Sequence, residues 1–100
     1  MKLEFHDDVL RVSAVSQLGA ANAHAFRDWV RKNLAPAHKA IEIDLAETTF
    51  LDSSGLGALV ALHKSVSSRG GTLRLLNAQP AVLQLLDLTR LNDIFEVVNC

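Results

Sequence analysis

Two short apolar runs, Ile41 to Leu45 and Thr72 to Leu76, flank one long helical run from about Ser54 to Ser68 that closes on Gly70-Gly71. No other part of the chain restricts the fold as much. In Ile41-Glu42-Ile43-Asp44-Leu45 apolar and acidic residues alternate with the two-residue period of a strand. Glycine just past a helix end takes the left-handed conformation that stops the helix. A strand, a helix and a strand in succession need a crossover, and a crossover leaves the two strands parallel. The expected class is therefore α/β.

The flanking segments extend this unit. Leu3 to Phe5 and Val9 to Val15 read as a hairpin around His6-Asp7-Asp8, with Leu10, Val12 and Ala14 on one buried face. From Ala20 to Leu34 the apolar residues Ala23, Phe26, Trp29, Val30 and Leu34 recur at helical spacing, and Ala35-Pro36 breaks the helix. Pro80 suits a first helical position and opens a helix through Val82, Leu83, Leu85 and Leu86. Phe95 to Val98 is expected as a closing edge strand. An antiparallel hairpin joined to parallel crossovers makes a mixed sheet. With 100 residues, 49% of them hydrophobic and 21% charged, residues 1–100 fit one domain.

Composition narrows the function. Ten basic and eleven acidic residues give a net charge of -1, and the basic residues are scattered, which argues against a nucleic-acid surface. The segment from Met1 to Arg11 has no apolar run, so no signal peptide is expected. No stretch reaches the roughly 20 apolar residues of a membrane span, so no direct membrane insertion is expected. Cys100 has no second cysteine to pair with, consistent with a reducing cytosol. His6, His24 and His38 match no metal-ligand spacing, and the chain has no CxxC, HExxH or GxSxG, so neither a metal nor a cofactor is expected.

The chemistry centres on Asp52-Ser53-Ser54-Gly55-Leu56-Gly57, between a strand and an apolar helix. Backbone N–H groups of a first helical turn lack intrahelical acceptors, and the helix dipole favours an anion there by roughly 0.3–1 kcal/mol. Ser53 is the expected working residue. Its alternative role is an N-cap, and Asp52 is an alternative cap. A nucleophile needs a base in reach, and His63 lies roughly 15 Å down the same helix at ~1.5 Å per residue, too far to act; it reads as a packing histidine beside Leu59, Val60 and Val66. A phosphate loop is excluded because Ala58 and Leu59 follow Gly57 where a lysine is needed. Gly55 and Gly57 each cost ~1 kcal/mol against alanine in a helix, so each is expected to face a closely approaching backbone, from a neighbouring strand or a docked protein. Leu56, Leu59, Val60, His63 and Val66 project to one side of the helix. Ala58, Ala61 and Leu62 fall outside that stripe and are expected either to be buried or to meet a partner.

Phe50-Leu51-Asp52-Ser53-Ser54-Gly55-Leu56-Gly57, Gly70-Gly71-Thr72-Leu73 and the segment from Pro80-Ala81-Val82 to Leu91 resemble STAS domains of the anti-sigma factor antagonist type, over nearly the whole chain. The resemblance implies a mixed sheet of four to five strands with helices packed mainly on one face. It further implies a cytoplasmic bacterial regulator, not an enzyme, that in its unphosphorylated form sequesters an anti-sigma factor with serine kinase activity. The phosphorylated serine of the family matches Ser53, with Asp52, Ser54, Gly55 and Gly57 as its neighbours and Ala58, Ala61 and Leu62 as candidate partner contacts. ATP would belong to the kinase, and a separate phosphoserine phosphatase would restore the hydroxyl. The other role such a domain could fill is an interaction subunit of a lipid transporter, stress-signalling complex or two-component output. The chain departs from the family at two places. Ser16-Gln17-Leu18-Gly19 stands where Gly-x-Leu-Asp is common, removing an acidic residue near the serine. Arg90 stands where a glycine commonly precedes the leucine matched by Leu91, which suggests a changed turn.

Overall fold

In a computed structural model, described over residues 1–98, five strands form one sheet and three helices cover one of its faces. Cys100 lies outside the described residues. In chain order the elements are β1 (Lys2–His6), β2 (Val9–Ser13), β3 (Gln17–Leu18), α1 (Ala23–Asn33), β4 (Ala40–Asp44), β5 (Phe50–Leu51), α2 (Ser53–Ser67), β6 (Thr72–Leu76), α3 (Pro80–Leu88), a 3-10 turn (Leu91–Asp93) and β7 (Glu96–Val98). The large sheet has the order β1-β2-β4-β6-β7; β1 and β2 are antiparallel and every other pair is parallel. The mixed α/β sheet expected from the crossovers is thus the observed one, with β7 on the edge where Phe95 to Val98 was expected.

Strand alternation sorts the two faces. Leu10, Val12, Ile41, Ile43, Leu73 and Leu75 point to the helices and are fully buried. They join Phe26 and Val30 of α1, Leu59, Leu62 and Val66 of α2, and Val82 and Leu86 of α3 in one hydrophobic cluster. Register places Glu4, Arg11, Glu42, Arg74 and Glu96 side by side across all five strands, a row of alternating charge. Arg74 reaches Glu42 at 3.2 Å and Glu96 at 3.3 Å, while Arg11 reaches Asp44 at 3.5 Å and Glu42 at 3.8 Å. Half-exposed pairs like these contribute about 0–1 kcal/mol each, and their main effect is to keep the helix-free face polar.

Two boundaries and one buried face differ from the sequence expectation. Strand β2 stops at Ser13 because Ala14 sits at φ 58, which turns the chain so that Val15, rather than Ala14, is fully buried. Helix α1 starts at Ala23 rather than Ala20, since Gly19 O accepts from both Asn22 N and Ala23 N and so ends a turn there. Helix α2 buries Gly55, Leu56, Ala58, Leu59, Leu62 and Val66, a face rotated toward Ala58 from the stripe that periodicity marks, because α1 packs along that flank as well as the sheet beneath. Beyond the sequence expectation, β3 and β5 pair in parallel as a second, two-residue ribbon.

Candidate functional site

The ribbon and the start of α2 build the site together. Parallel pairing of Gln17 with Phe50 and Leu18 with Leu51 brings the β3 loop against the Asp52 junction. Asp52 is extended, at φ -117 and ψ -172, and is the N-cap of α2. Its Oδ1 accepts from Ser54 N at 2.9 Å and Gly55 N at 3.0 Å, and its Oδ2 accepts from Ala20 N at 3.1 Å. The Gly55 N–H above all, with those of Ala20 and Ser54, holds the Asp52 carboxyl below the usual carboxylate range, against an opposing effect of partial desolvation. Of the two caps the sequence allowed, Asp52 is the one used.

Ser53 is therefore left as the first helical residue. It is exposed, and its hydroxyl has no partner among the described residues. Ser54, next to it, is half-buried. The expectation of an open anion site needs a correction here: Asp52 already occupies the N–H groups of Ser54 and Gly55, so a phosphate on Ser53 would compete with a neighbouring carboxylate for the helix terminus.

The two glycines separate into two roles. A Cβ on Gly55 would run into the Leu18 carbonyl oxygen and come within 2.7 Å of Leu51 Cδ1, so this residue is glycine because β3 presses on the helix. Around Gly57, which is exposed, a Cβ would meet nothing within 4 Å. No contact among the described residues accounts for that second glycine.

The candidate partner contacts need a second correction. Ala58 is 5% exposed and Leu62 is fully buried, both inside the domain's own core, where α1 covers that side of α2. They are not available to a partner as they stand; Ala61 is half-buried. The outward line of α2 runs instead through Ser53, Gly57 and Lys64, all exposed.

Gly19 lies directly against the site. A Cβ there would come within 2.7 Å of Phe50 Cε2 and 2.9 Å of Asp52 Oδ2. The loop is tied by Asn22, whose Oδ1 accepts from Gly19 N and whose Nδ2 donates to Gln17 O, both at 2.9 Å. Where an acidic side chain was expected from the resemblance, this chain offers the backbone N–H of Ala20 to Asp52. Sequence reasoning had no signal for that bond, because it depends on the β3–β5 pairing. It also passed over Phe50, which is 52% exposed.

His63 packs edge-on to Phe95, with ring centroids 5.7 Å apart, as a packing histidine should; its Nδ1 is buried without a hydrogen-bond partner among the described residues. Among the described residues no cluster of His, Cys, Asp or Glu could hold a metal, and no helix is long and apolar enough to cross a membrane.

Residues 1–99 match the STAS domain family. The chain belongs to it. A candidate anti-sigma factor antagonist of Thermotoga maritima is 34% identical over 91% of this chain and 81% of its own length. The anti-sigma-B factor antagonist of Bacillus subtilis is 28% identical over 92% of this chain and 84% of its own. The crystal structure of a Thermotoga maritima candidate antagonist superposes on this STAS domain with a TM-score of 0.89 at 30% identity, covering 99% of this chain and 86% of that one. The expected fold, a mixed sheet of four to five strands with helices packed mainly on one face, is the observed one, with five strands, and it matches that crystal structure.

Proposed function

We propose that this STAS domain is an anti-sigma factor antagonist of the bacterial cytoplasm. Unphosphorylated, it binds and holds an anti-sigma factor that has serine kinase activity; phosphorylation of Ser53 by that kinase releases it, and a phosphoserine phosphatase resets the hydroxyl. The observation that carries the reading is the division of labour at the start of α2: Asp52 does the capping, so the Ser53 hydroxyl is exposed and uncommitted. The antagonists among its relatives support the partner class.

The physical switch is electrostatic. A phosphate adds about -1.5 to -2 charge and three acceptor oxygens. Beside an ionised Asp52 whose carboxylate already holds the nearest N–H groups, the new charge finds few donors within the domain. In a closed interface it must also lose water. An uncompensated buried charge costs about 3–5 kcal/mol, and ~1.4 kcal/mol is tenfold in affinity, so release is the expected effect. Titration calorimetry against the kinase tests this. Parent protein and Ser53→Ala should bind, while Ser53→Asp and the phosphorylated protein should bind at least about a hundredfold more weakly. Equal binding by parent and Ser53→Asp would sink the charge-switch mechanism.

A further inference from the structure

A groove of about 140 Å³ lies beside the Ser53 junction, between β5 and α3, lined by Thr49, Phe50, Leu51, Ala81, Val82 and Leu85. We propose that this groove is the apolar half of the docking surface for the anti-sigma factor and receives one large apolar side chain of it, with Phe50 as the central contact. The proposal rests on the reading of Ser53 as the switch and names where the partner's weight falls beside it.

Three observations converge on the groove. The first is continuity: Phe50 and Ser53 are separated by two residues, a reach of at most about 10 Å even when fully extended, so a protein seated over Ser53 also covers Phe50. The second is the surplus of apolar residues on α3. This nine-residue helix turns Val82 and Leu86 into the core, yet it also carries Ala81, Leu85 and Leu88 at i, i+4 and i+7, with Leu88 75% exposed. Of that second face only Leu85 packs against the core, and Ala81 and Leu88 are left exposed. The third is the seating of Phe50 itself. Its backbone is paired in the β3–β5 ribbon and its ring lies close to Gly19, where a Cβ would come within 2.7 Å, while the residue is 52% exposed. Aromatic anchors with little rotamer freedom to lose are the residues that carry binding energy at interfaces. No lining residue is charged, whereas Glu47 and Asp52 flank the lining segment of β5 in the chain. The fitting partner segment therefore has an apolar side chain with a basic neighbour.

The test measures binding of the purified serine-kinase anti-sigma factor from the organism that supplies this chain, by calorimetry, with thermal melting of each variant alongside. Phe50→Ala and Leu88→Ser should weaken binding about tenfold or more while melting within a few degrees of the parent, since both side chains are largely exposed. Phe5→Ala, which removes an equally exposed ring on β1, should bind like the parent. If Ser53→Asp releases the kinase but Phe50→Ala and Leu88→Ser bind as the parent does, the groove is not part of the interface and the switch reading stands. If the parent itself fails to bind, both readings fall. A photo-crosslinking residue at position 88 should capture the kinase; capture of a second copy of this chain alone would assign the face to self-association and overturn the proposal.

Discussion

Gly55 and Gly57 sit two residues apart in one helix, and alanine at each should change stability in opposite directions. In an exposed helix interior glycine costs about 0.5–1 kcal/mol relative to alanine, through the backbone freedom it loses on folding. A Cβ on Gly57 meets nothing within 4 Å, so Gly57→Ala should recover that whole term. For a domain of this size ~1 kcal/mol raises the melting temperature by roughly 4–8 °C. At Gly55 the same gain is opposed. The new methyl would overlap the Leu18 carbonyl oxygen and press on Leu51 Cδ1, so either β3 or the helix start must move back. Leu18 O also accepts from Asp52 N at 3.3 Å, so the displacement reaches the cap. Forced overpacking of this kind costs about 1–3 kcal/mol, which leaves Gly55→Ala less stable than the parent by up to ~2 kcal/mol. Urea denaturation followed by circular dichroism separates the two, with unchanged m-values confirming that only stability has moved. A destabilised Gly57→Ala, or a Gly55→Ala as stable as Gly57→Ala, would refute the division of roles. The binding experiment adds a second reading of the same variant. If Gly57 is bare so that a partner's backbone can approach, Gly57→Ala should be more stable than the parent and yet bind the anti-sigma factor more weakly.

Asp52→Asn should remove an acid-dependent part of stability. The folded-state carboxyl titrates below its unfolded value, so its contribution is fully present above the unfolded pKa and fades as pH falls through the folded one. The stability gap between parent and Asp52→Asn, measured by urea denaturation, should therefore be constant near neutral pH and shrink in acid below about pH 4; a gap that does not depend on pH would mean that the carboxylate's charge is not what matters. Arg90→Gly should stabilise the domain. Arg90 holds φ 59 and ψ 21 just past α3, a left-handed conformation that costs a residue with a side chain about 1–2 kcal/mol, against 0.5–1 kcal/mol for the extra freedom of an unfolded glycine. A rise of a few degrees in melting temperature is expected, and no rise would mean that the Arg90 side chain earns its place through a contact of its own.

Arg90 also marks a backbone feature that the sequence did not specify. The missing glycine suggested a changed turn, and the chain places arginine in a left-handed conformation there. Period and punctuation were readable because they are local: the alternation in Ile41 to Leu45, Pro80 at the first position of α3 and Gly70 at φ 79 past α2 each act through neighbours in the chain. For Ala58 and Leu62 the sequence left burial and partner contact both open, and could not choose between them. Their burial depends on α1 lying along α2, and a helical wheel assumes one covering surface where this helix has two. At the site, the identity of the junction was legible and its wiring was not. Whether Ser53 or Asp52 capped the helix turned on one extended residue, and the bond from Ala20 N to Asp52 turned on a two-residue ribbon too short to announce itself by periodicity.

That wiring sets the range of a charge placed on Ser53. The residues that α2 turns into the core are buried, whereas Ser53, Gly57 and Lys64 are exposed. Helix, cap and ribbon are held by Asp52 through three backbone N–H groups, and none of those bonds uses the Ser53 hydroxyl. A phosphate therefore has no structural bond of its own to break in the domain, and the repulsion it adds acts on Asp52 and on whatever is seated above the helix terminus. A serine that capped the helix itself would make every phosphorylation a stability change as well as a signal. Moving the cap one residue upstream separates the two: melting of the phosphorylated domain should stay within a few degrees of the parent while binding to the kinase falls by orders of magnitude. A large loss of melting temperature on phosphorylation would show that Ser53 has a structural part and that the two functions are not divided.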